Sequence, residues 1–178
     1  MLTRDEAVLM VVDVQGKLAR LMHEADALFD NLSRLVRGAT VLEVPVLATE
    51  QNPKGLGPTV EEVRPHLPSE PIPKMAFSCC GEPAVVEALE ATGRRQVLLA
   101  GIETHICVYQ TARDLLARGR EVHVVADAVS SRSPRNRDVG LAKMRAAGAE
   151  VTSVETALFE MLEVAEGPAF KQILTIVK

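Results

Sequence analysis

The stretch Val97–Ala112, VLLAGIETHICVYQTA, decides the fold prediction because it combines a buried strand, a turn and the start of a helix. Its first four residues form a continuous apolar run, typical of a strand covered on both faces, and Gly101 is expected to end that strand. Thr104 is a candidate N-cap, and apolar residues then recur at helical spacing up to Arg118. Cys107 is therefore predicted in the first helical turn, where the helix dipole favours the reactive thiolate. The alternative is an ordinary buried thiol.

Strand and helix patterns alternate along the rest of the chain. The predicted strands are Ala7–Asp13, Val44–Thr49, Ile72–Lys74, Gln96–Ala100, Glu121–Ala126 and Glu150–Ser153. The predicted helices are 25–40, 83–92, 105–118, 135–147, 155–162 and a last one from 168. This alternation predicts one domain, residues 1–178, with a doubly wound α/β fold: a mainly parallel six-stranded sheet with helices on both faces. The polar segment 50–71, rich in proline and glycine, is interpreted as a loop over the site.

Two charged residues stand at predicted strand ends. Asp13 follows the apolar run Val8–Val12, and capping the next helix is the commoner role for an aspartate there. Lys74 follows two prolines that hold the backbone extended, and a lone loop lysine is commonly just solvated. Together with Cys107, however, they supply a candidate base, a cation and a nucleophile. Ligands of doubly wound sheets bind at the carboxyl ends of the strands, where these residues are predicted to lie.

Four segments resemble the isochorismatase-like cysteine hydrolase superfamily in order and spacing. They are VVDVQ near the start, the lysine in PIPKMAFS, GIETHICVYQTA, and VVADAVSSRSPRNRDVGLAKMRAAGAEV. The resemblance implies that Asp13, Lys74 and Cys107 form a catalytic triad. It also implies a cis peptide between Ile102 and Glu103, and an oxyanion hole formed by the backbone N–H groups of Glu103 and Cys107. TEQNPKGLGPTV, followed by KMAFSC, resembles the smaller isochorismatase-domain proteins of mostly unassigned substrate.

The activity that this resemblance implies is hydrolysis of a small amide or related C–N bond through a thioester. The predicted walls of the site suit a small, mostly uncharged molecule and comprise Gln15, Thr49, Gln51, Phe77 and Tyr109. Metal-containing nicotinamidases of the superfamily have an Asp-x-His cluster after the second strand, where this chain has TEQN without a histidine. The four histidines are scattered, so neither a metal ion nor a cofactor is expected.

Composition narrows the classes of partner. The net charge of −4 provides no basic field for nucleic acid, and the basic segment Arg132–Arg137 is interpreted as a solvated loop or a lid. No apolar run approaches the ~20 residues of a membrane span, and the start MLTRDEAV does not resemble a signal peptide. Three cysteines, an odd number, fit a reducing compartment, with Cys79 and Cys80 as ordinary buried thiols. We therefore expect a cytoplasmic protein acting on a small molecule, and the resemblance implies a homo-oligomer.

A second hypothesis is a catalytically idle domain that binds a small metabolite or only assembles. The doubly wound fold hosts many functions and does not exclude it. A nucleotide-binding module is less well supported, because the first turn, Asp13–Gly16, lacks the glycine pattern of dinucleotide and P-loop sites. Reactivity of the Cys107 sulfur distinguishes an enzyme from an idle domain.

Overall fold

The computed structural model describes all 178 residues and contains one six-stranded sheet. The strands are β1 (Ala7–Val12), β2 (Val46–Gln51), β3 (Ile72–Lys74), β4 (Gln96–Ile102), β5 (Glu121–Ser130) and β6 (Glu150–Thr152). The helices are α1 (Gly16–Arg20), α2 (Ala25–Val41), α3 (Pro53–Leu56), α4 (Pro83–Ala91), α5 (Tyr109–Ala117), α6 (Pro134–Ala146), α7 (Val154–Leu162) and α8 (Gly167–Val177). Single 3₁₀ turns lie at Arg64–His66 and Cys79–Gly81.

All neighbouring strands are parallel, in the order β3-β2-β1-β4-β5-β6. The predicted doubly wound α/β fold is therefore confirmed. The chain builds the sheet outward from β1 in one direction and then, from β4, in the other. The carboxyl ends of β1 and β4 consequently border the crevice in which such sheets bind ligands.

The sheet separates two apolar cores. Alternate residues of β1 point to opposite faces, so that Leu9 and Val11 join a core of 30 buried residues with α2, α7 and α8. Val8 and Met10 join the second core, of 17 buried residues, with α4, α5 and α6. Coverage of both faces explains why β1 and β4 are apolar throughout except for Gln96 and Gly101.

β4 continues past the glycine at which it was predicted to end. Gly101 has φ +113°, and a Cβ on it would lie 2.1 Å from the Val12 carbonyl oxygen. The glycine is thus required because β1 and β4 approach closely, and the strand runs on to Ile102. The prediction that Gly101 ends the strand was wrong.

The turn that contains Cys107 is π-helical. Residues Thr104–Val108 form one π turn, and the α-helical geometry of α5 begins only at Tyr109. The prediction of Thr104 as an N-cap was wrong, because it lies inside this turn and its buried hydroxyl has no hydrogen-bond partner. Helix α6 packs directly on the turn at Gly140, where a Cβ would lie 2.7 Å from the Thr104 carbonyl oxygen.

Other differences concern boundaries and short elements. β2 begins and ends two residues later than predicted, β5 extends to Ser130, and α1 and α3 lie in segments without a predicted helix. The segment 50–71 is held by Glu50, whose buried carboxylate accepts hydrogen bonds from the Thr59 N–H (2.7 Å) and hydroxyl (2.8 Å). None of the eight helices combines the length and the apolar sequence that a membrane span requires.

Candidate active site

The carboxyl ends of four adjacent strands bring the predicted triad together. Lys74 ends β3, Gln51 ends β2, Asp13 directly follows β1, and Cys107 lies in the turn after β4. Because the four strands are parallel neighbours, these side chains converge on one edge of the sheet, although 94 positions separate Asp13 from Cys107 in the sequence.

Lys74 and Asp13 form a buried ion pair. The Lys74 side chain is 0% exposed, and its Nζ donates to Asp13 Oδ2 at 2.6 Å. The ammonium also donates to the carbonyl oxygens of Ala76 (2.9 Å) and Phe77 (3.1 Å). All three N–H groups of the lysine are therefore satisfied, which a buried ammonium requires.

The Asp13 carboxylate is fixed on both oxygens. The Thr49 hydroxyl donates to Oδ1 at 2.8 Å, while Lys74 occupies Oδ2. Asp13 has φ +53°, a left-handed conformation that only a minority of non-glycine residues adopt. Burial raises the pKa of Asp13 above its ordinary value, although the charge of Lys74 opposes this rise. A carboxylate with a raised pKa is well suited to receive a proton.

Cys107 is nearly buried, and its thiol is held by an amide. Its Sγ donates to Gln51 Oε1 at 3.3 Å, and only 7% of the residue is exposed. Burial, followed by the negative charge of Asp13, raises the pKa of Cys107 to about 12. The expected thiolate is therefore not the resting form, because desolvation and Asp13 outweigh Lys74 and the helix dipole.

Gln15 holds Gln51 in place. Its side-chain oxygen accepts from the Gln51 N–H at 2.7 Å, and its amide nitrogen donates to the carbonyl oxygens of Gln51 (3.1 Å) and Gly57 (2.8 Å). Gln15 is 0% exposed, and both its side-chain nitrogen and its side-chain oxygen have hydrogen-bond partners within the chain. The structure thus places it behind Gln51, and not at the surface of the site as predicted.

The remaining predicted wall residues differ in position. Thr49 is buried against Asp13, so it too lies behind the site. Phe77 is 54% exposed beside the ion pair, and half-buried Tyr109 stacks under Lys143, whose Nζ lies 4.7 Å from the ring centroid. Of the predicted wall, Gln51 is the residue that contacts the Cys107 sulfur.

The backbone around Glu103 has the predicted form. The peptide bond between Ile102 and Glu103 is cis. The Glu103 carbonyl oxygen accepts from the N–H groups of Ile106 (3.0 Å) and Val108 (3.3 Å), which wraps the π turn around Cys107. The N–H of Glu103 has no acceptor within the chain. It is thus free to bind an oxyanion.

A charged pair that the sequence interpretation missed borders the cysteine turn. The side chain of Glu103, 7% exposed, accepts from Arg132 Nε at 3.2 Å on both oxygens and from the Arg132 N–H at 3.1 Å. Arg132 was interpreted as part of a solvated loop or lid. One feature of the sequence could have indicated this pair: Glu103 is a charged residue directly after the apolar strand β4, at a position that is normally buried.

The other cysteines and the histidines lie outside the candidate triad of Asp13, Lys74 and Cys107. Cys79 is fully buried, 3.8 Å from the Thr49 hydroxyl, and burial raises its pKa to about 11. Cys80 is half-buried, and all three cysteines are free thiols. His105 pairs with the Ser131 hydroxyl at 3.0 Å. No group of three or more His, Cys, Asp or Glu side chains is placed to hold a metal ion.

Fold and site together define an α/β protein with a cysteine-centred candidate active site at the edge of a parallel sheet. Residues 7–156 match the family model "Isochorismatase domain", and the chain belongs to the isochorismatase family. It is 41% identical over 178 residues to the secreted isochorismatase effector Isc1 of Phytophthora sojae, covering 97% of this chain and 84% of that protein.

Two solved structures are also similar. The MAR1 ribonuclease of Caenorhabditis elegans superposes with a TM-score of 0.93 at 37% identity, over 99% of this chain and 91% of that chain. The YcaC gene product of Escherichia coli, described as an octameric hydrolase of unknown specificity, gives a TM-score of 0.92 at 26% identity, over 98% and 88%. The predicted family is therefore confirmed, and the chain has the hydrolase fold of that family.

Proposed function

We propose that this chain is a cysteine-dependent hydrolase of a small amide or related C–N compound, acting through a thioester with Asp13, Lys74 and Cys107. The observation that carries the proposal is the fully buried Lys74–Asp13 pair beside a thiol. Burying two charges is costly, and well-packed apolar residues of similar volume stabilise a fold as well or better. A buried pair next to a nucleophile is therefore best explained by chemistry.

The first half-reaction forms the thioester. The Cys107 sulfur attacks the carbonyl carbon while its proton passes to Asp13, so that no free thiolate has to persist in the buried site. The N–H groups of Glu103 and Cys107 stabilise the oxyanion, and one such donor is typically worth about 3–4 kcal/mol. Asp13 then protonates the leaving nitrogen, the C–N bond breaks, and ammonia or an amine departs.

The second half-reaction regenerates the thiol. Asp13 takes a proton from water, and the oxygen of that water attacks the thioester carbonyl. The C–S bond breaks, the proton returns from Asp13 to sulfur, and a carboxylic acid is released. Lys74 and Thr49 hold the carboxylate oxygens throughout, which keeps one lone pair of Asp13 directed at the reacting proton.

The names of the relatives indicate two other substrates that belong in the same assay. One relative is called an isochorismatase effector and one a ribonuclease. The net charge of −4 and the nearly buried thiol favour a small molecule over RNA for this chain. A homo-oligomer is also part of the proposal, supported by the octameric relative, as is a cytoplasmic location, supported by the three free thiols.

The decisive experiment is an activity screen of small amides, carbamoyl compounds and nitriles, together with isochorismate and RNA. Cys107→Ala is the blank, and Cys79→Ala is the matched control because it removes a buried thiol that touches Thr49 instead of the reacting groups. We expect turnover of an amide by wild-type and Cys79→Ala protein only, with an acyl adduct on Cys107 in the intact mass after rapid acid quench. Asp13→Asn should reduce the rate by ~10²–10⁴.

Turnover that survives Cys107→Ala would exclude the cysteine mechanism. An absence of turnover, combined with no reaction of Cys107 with small electrophiles, would instead favour the idle metabolite-binding or assembly domain. Cleavage of RNA without cleavage of any amide would replace the proposed substrate class.

A further inference from the structure

We infer that Arg132 forms an anion-binding subsite beside Cys107, so that the substrate has a carboxylate or similar oxyanion group near the bond that is cleaved. This inference rests on the proposed function and assigns a chemical class to its substrate. It also revises the expectation of a mostly uncharged substrate.

The guanidinium of Arg132 is held from one side only. Its Nε and backbone N–H bind the buried Glu103 carboxylate, whereas Nη1 and Nη2 make no hydrogen bond to the chain. The side chain is 56% exposed, although its anchor, Glu103, is 7% exposed. The pair of Nη groups therefore presents a free, oriented fork, which matches the two oxygens of a carboxylate.

The sheet places the backbone of Arg132 next to the cysteine turn. Ile102 pairs with Ser130, two residues before Arg132, so the segment that carries Arg132 leaves β5 one strand spacing, ~4.8 Å, from the end of β4. Asp13 emerges from β1, the neighbour of β4 on the other side. The loop through Arg132 leads into α6, which packs on the turn 104–108 from the same face as α5. Asp13 and Arg132 thus flank the strand end from which Cys107 rises.

The remaining charges at this rim are mostly positive. The carboxylates of Asp13 and Glu103 are each paired with one cation, while Lys143 of α6, whose Nζ lies 4.7 Å from the Tyr109 ring centroid, has no carboxylate within 4.0 Å. Asp138, the acid that follows in α6, lies 3.7 Å from Arg137. Together with the free Arg132 fork, this composition favours an anionic ligand in a chain whose net charge is −4.

The test compares acid and amide alkylating agents of equal length at Cys107. The reagents are iodoacetate with iodoacetamide, and 4-bromobutyrate with 4-bromobutyramide, with modification of Cys107 quantified by peptide mass spectrometry at pH 8. The acid-to-amide rate ratio cancels general changes in thiol reactivity. We expect a ratio above that of glutathione for at least one pair, and a decrease of about tenfold in Arg132→Gln, the size expected for one charge-assisted contact.

Arg135→Gln is the matched control, because it removes the same charge three residues away without touching Glu103. Its ratio should stay within about twofold of wild type, since it lacks an anchored fork. A ratio in Arg132→Gln that changes less than twofold, or an equal decrease in Arg135→Gln, would overturn the subsite.

A second measurement does not depend on the thiol. In Cys107→Ala protein, butyrate should raise the midpoint of thermal unfolding more than butyramide does, and Arg132→Gln in that background should remove the difference. If Cys107 resists every reagent, the proposed nucleophile fails, and this thermal comparison alone confirms or overturns the subsite. If Cys107 reacts but Arg132→Gln changes neither the acid-to-amide ratio nor the thermal difference, the subsite fails while the proposed function stands.

Discussion

Replacing Lys74 with methionine should leave Asp13 as an isolated charge inside the protein. Lys74 is the only cation on that carboxylate, at 2.6 Å, and the Asp13 side chain is 5% exposed. Removing one partner of a buried ion pair typically destabilises by about 3–5 kcal/mol, because the remaining charge has neither water nor a partner. For a chain of this length, 1 kcal/mol corresponds to about 2–4 °C in Tm. We therefore expect a decrease of roughly 6–20 °C at pH 8.

The effect should also depend on pH in a defined direction. The pKa of Asp13 is already raised in the folded protein, and loss of the Lys74 charge, which opposes that rise, should raise it further. The folded variant then binds more protons than folded wild type, so the stability of Lys74→Met relative to wild type should decrease as pH rises through the interval between the wild-type and variant pKa values of Asp13. The Tm difference from wild type should be largest at pH 8 and should shrink towards pH 5.

Differential scanning calorimetry between pH 5 and pH 8 measures this effect. Lys17→Met, the same change at an exposed lysine, is the control and should shift Tm by no more than about 2 °C. Adding Asp13→Asn to Lys74→Met should recover part of the lost stability, since the buried charge is then absent. A decrease below about 2 °C at pH 8, or no recovery in the double variant, would refute the reasoning from the buried ion pair.

Three further predictions concern the cysteine turn and its neighbours. The rate of iodoacetamide addition to Cys107 should increase up to pH 10 without a plateau, because its pKa is raised to about 12; a plateau below pH 9 would contradict this. Thr49→Val should destabilise by about 1–3 kcal/mol in urea unfolding by removing a donor from buried Asp13, and Thr49→Ser should not. Gly140→Ala should cost about 1–3 kcal/mol and change alkylation of Cys107, because its Cβ would overlap the backbone of Thr104; a variant with unchanged Tm and alkylation rate would exclude this contact.

The strands and most helices could be predicted because their signals are local. Continuous apolar runs at 8–12 and 97–100 indicate strands covered on both faces, and the structure places them at the centre of the sheet. By contrast, the π turn at Thr104–Val108 was predicted as ordinary helix, because the sequence does not show that α6 packs closely on it at Gly140.

The positions of the candidate triad residues were easier to predict than their protonation states. Motif spacing indicated Asp13, Lys74 and Cys107, and parallel strand ends bring them together. The pKa of Cys107 was expected to be low, since the helix dipole and Lys74 are visible in the sequence. Burial and the Asp13 charge, which depend on tertiary packing, raise it instead. Likewise, Gln15 and Thr49 were assigned to the site surface because the sequence does not show which polar side chains are consumed by internal hydrogen bonds.

The resting site therefore keeps the Cys107 thiol protonated. Cys107 donates to Gln51 Oε1, and the Gln51 backbone is itself fixed by two hydrogen bonds with Gln15, so the thiol proton has an acceptor that cannot remove it. In the proposed mechanism Asp13 removes it, and a thiol with a pKa of about 12 gives up its proton to a carboxylate only when the sulfur is simultaneously bonding to carbon. A substrate that displaces the thiol from Gln51 and presents its carbonyl to the Glu103 N–H would meet both requirements. The same arrangement would make the free enzyme slow to react with electrophiles that lack such a carbonyl, which is the expected benefit of burying a nucleophile beside a buried base.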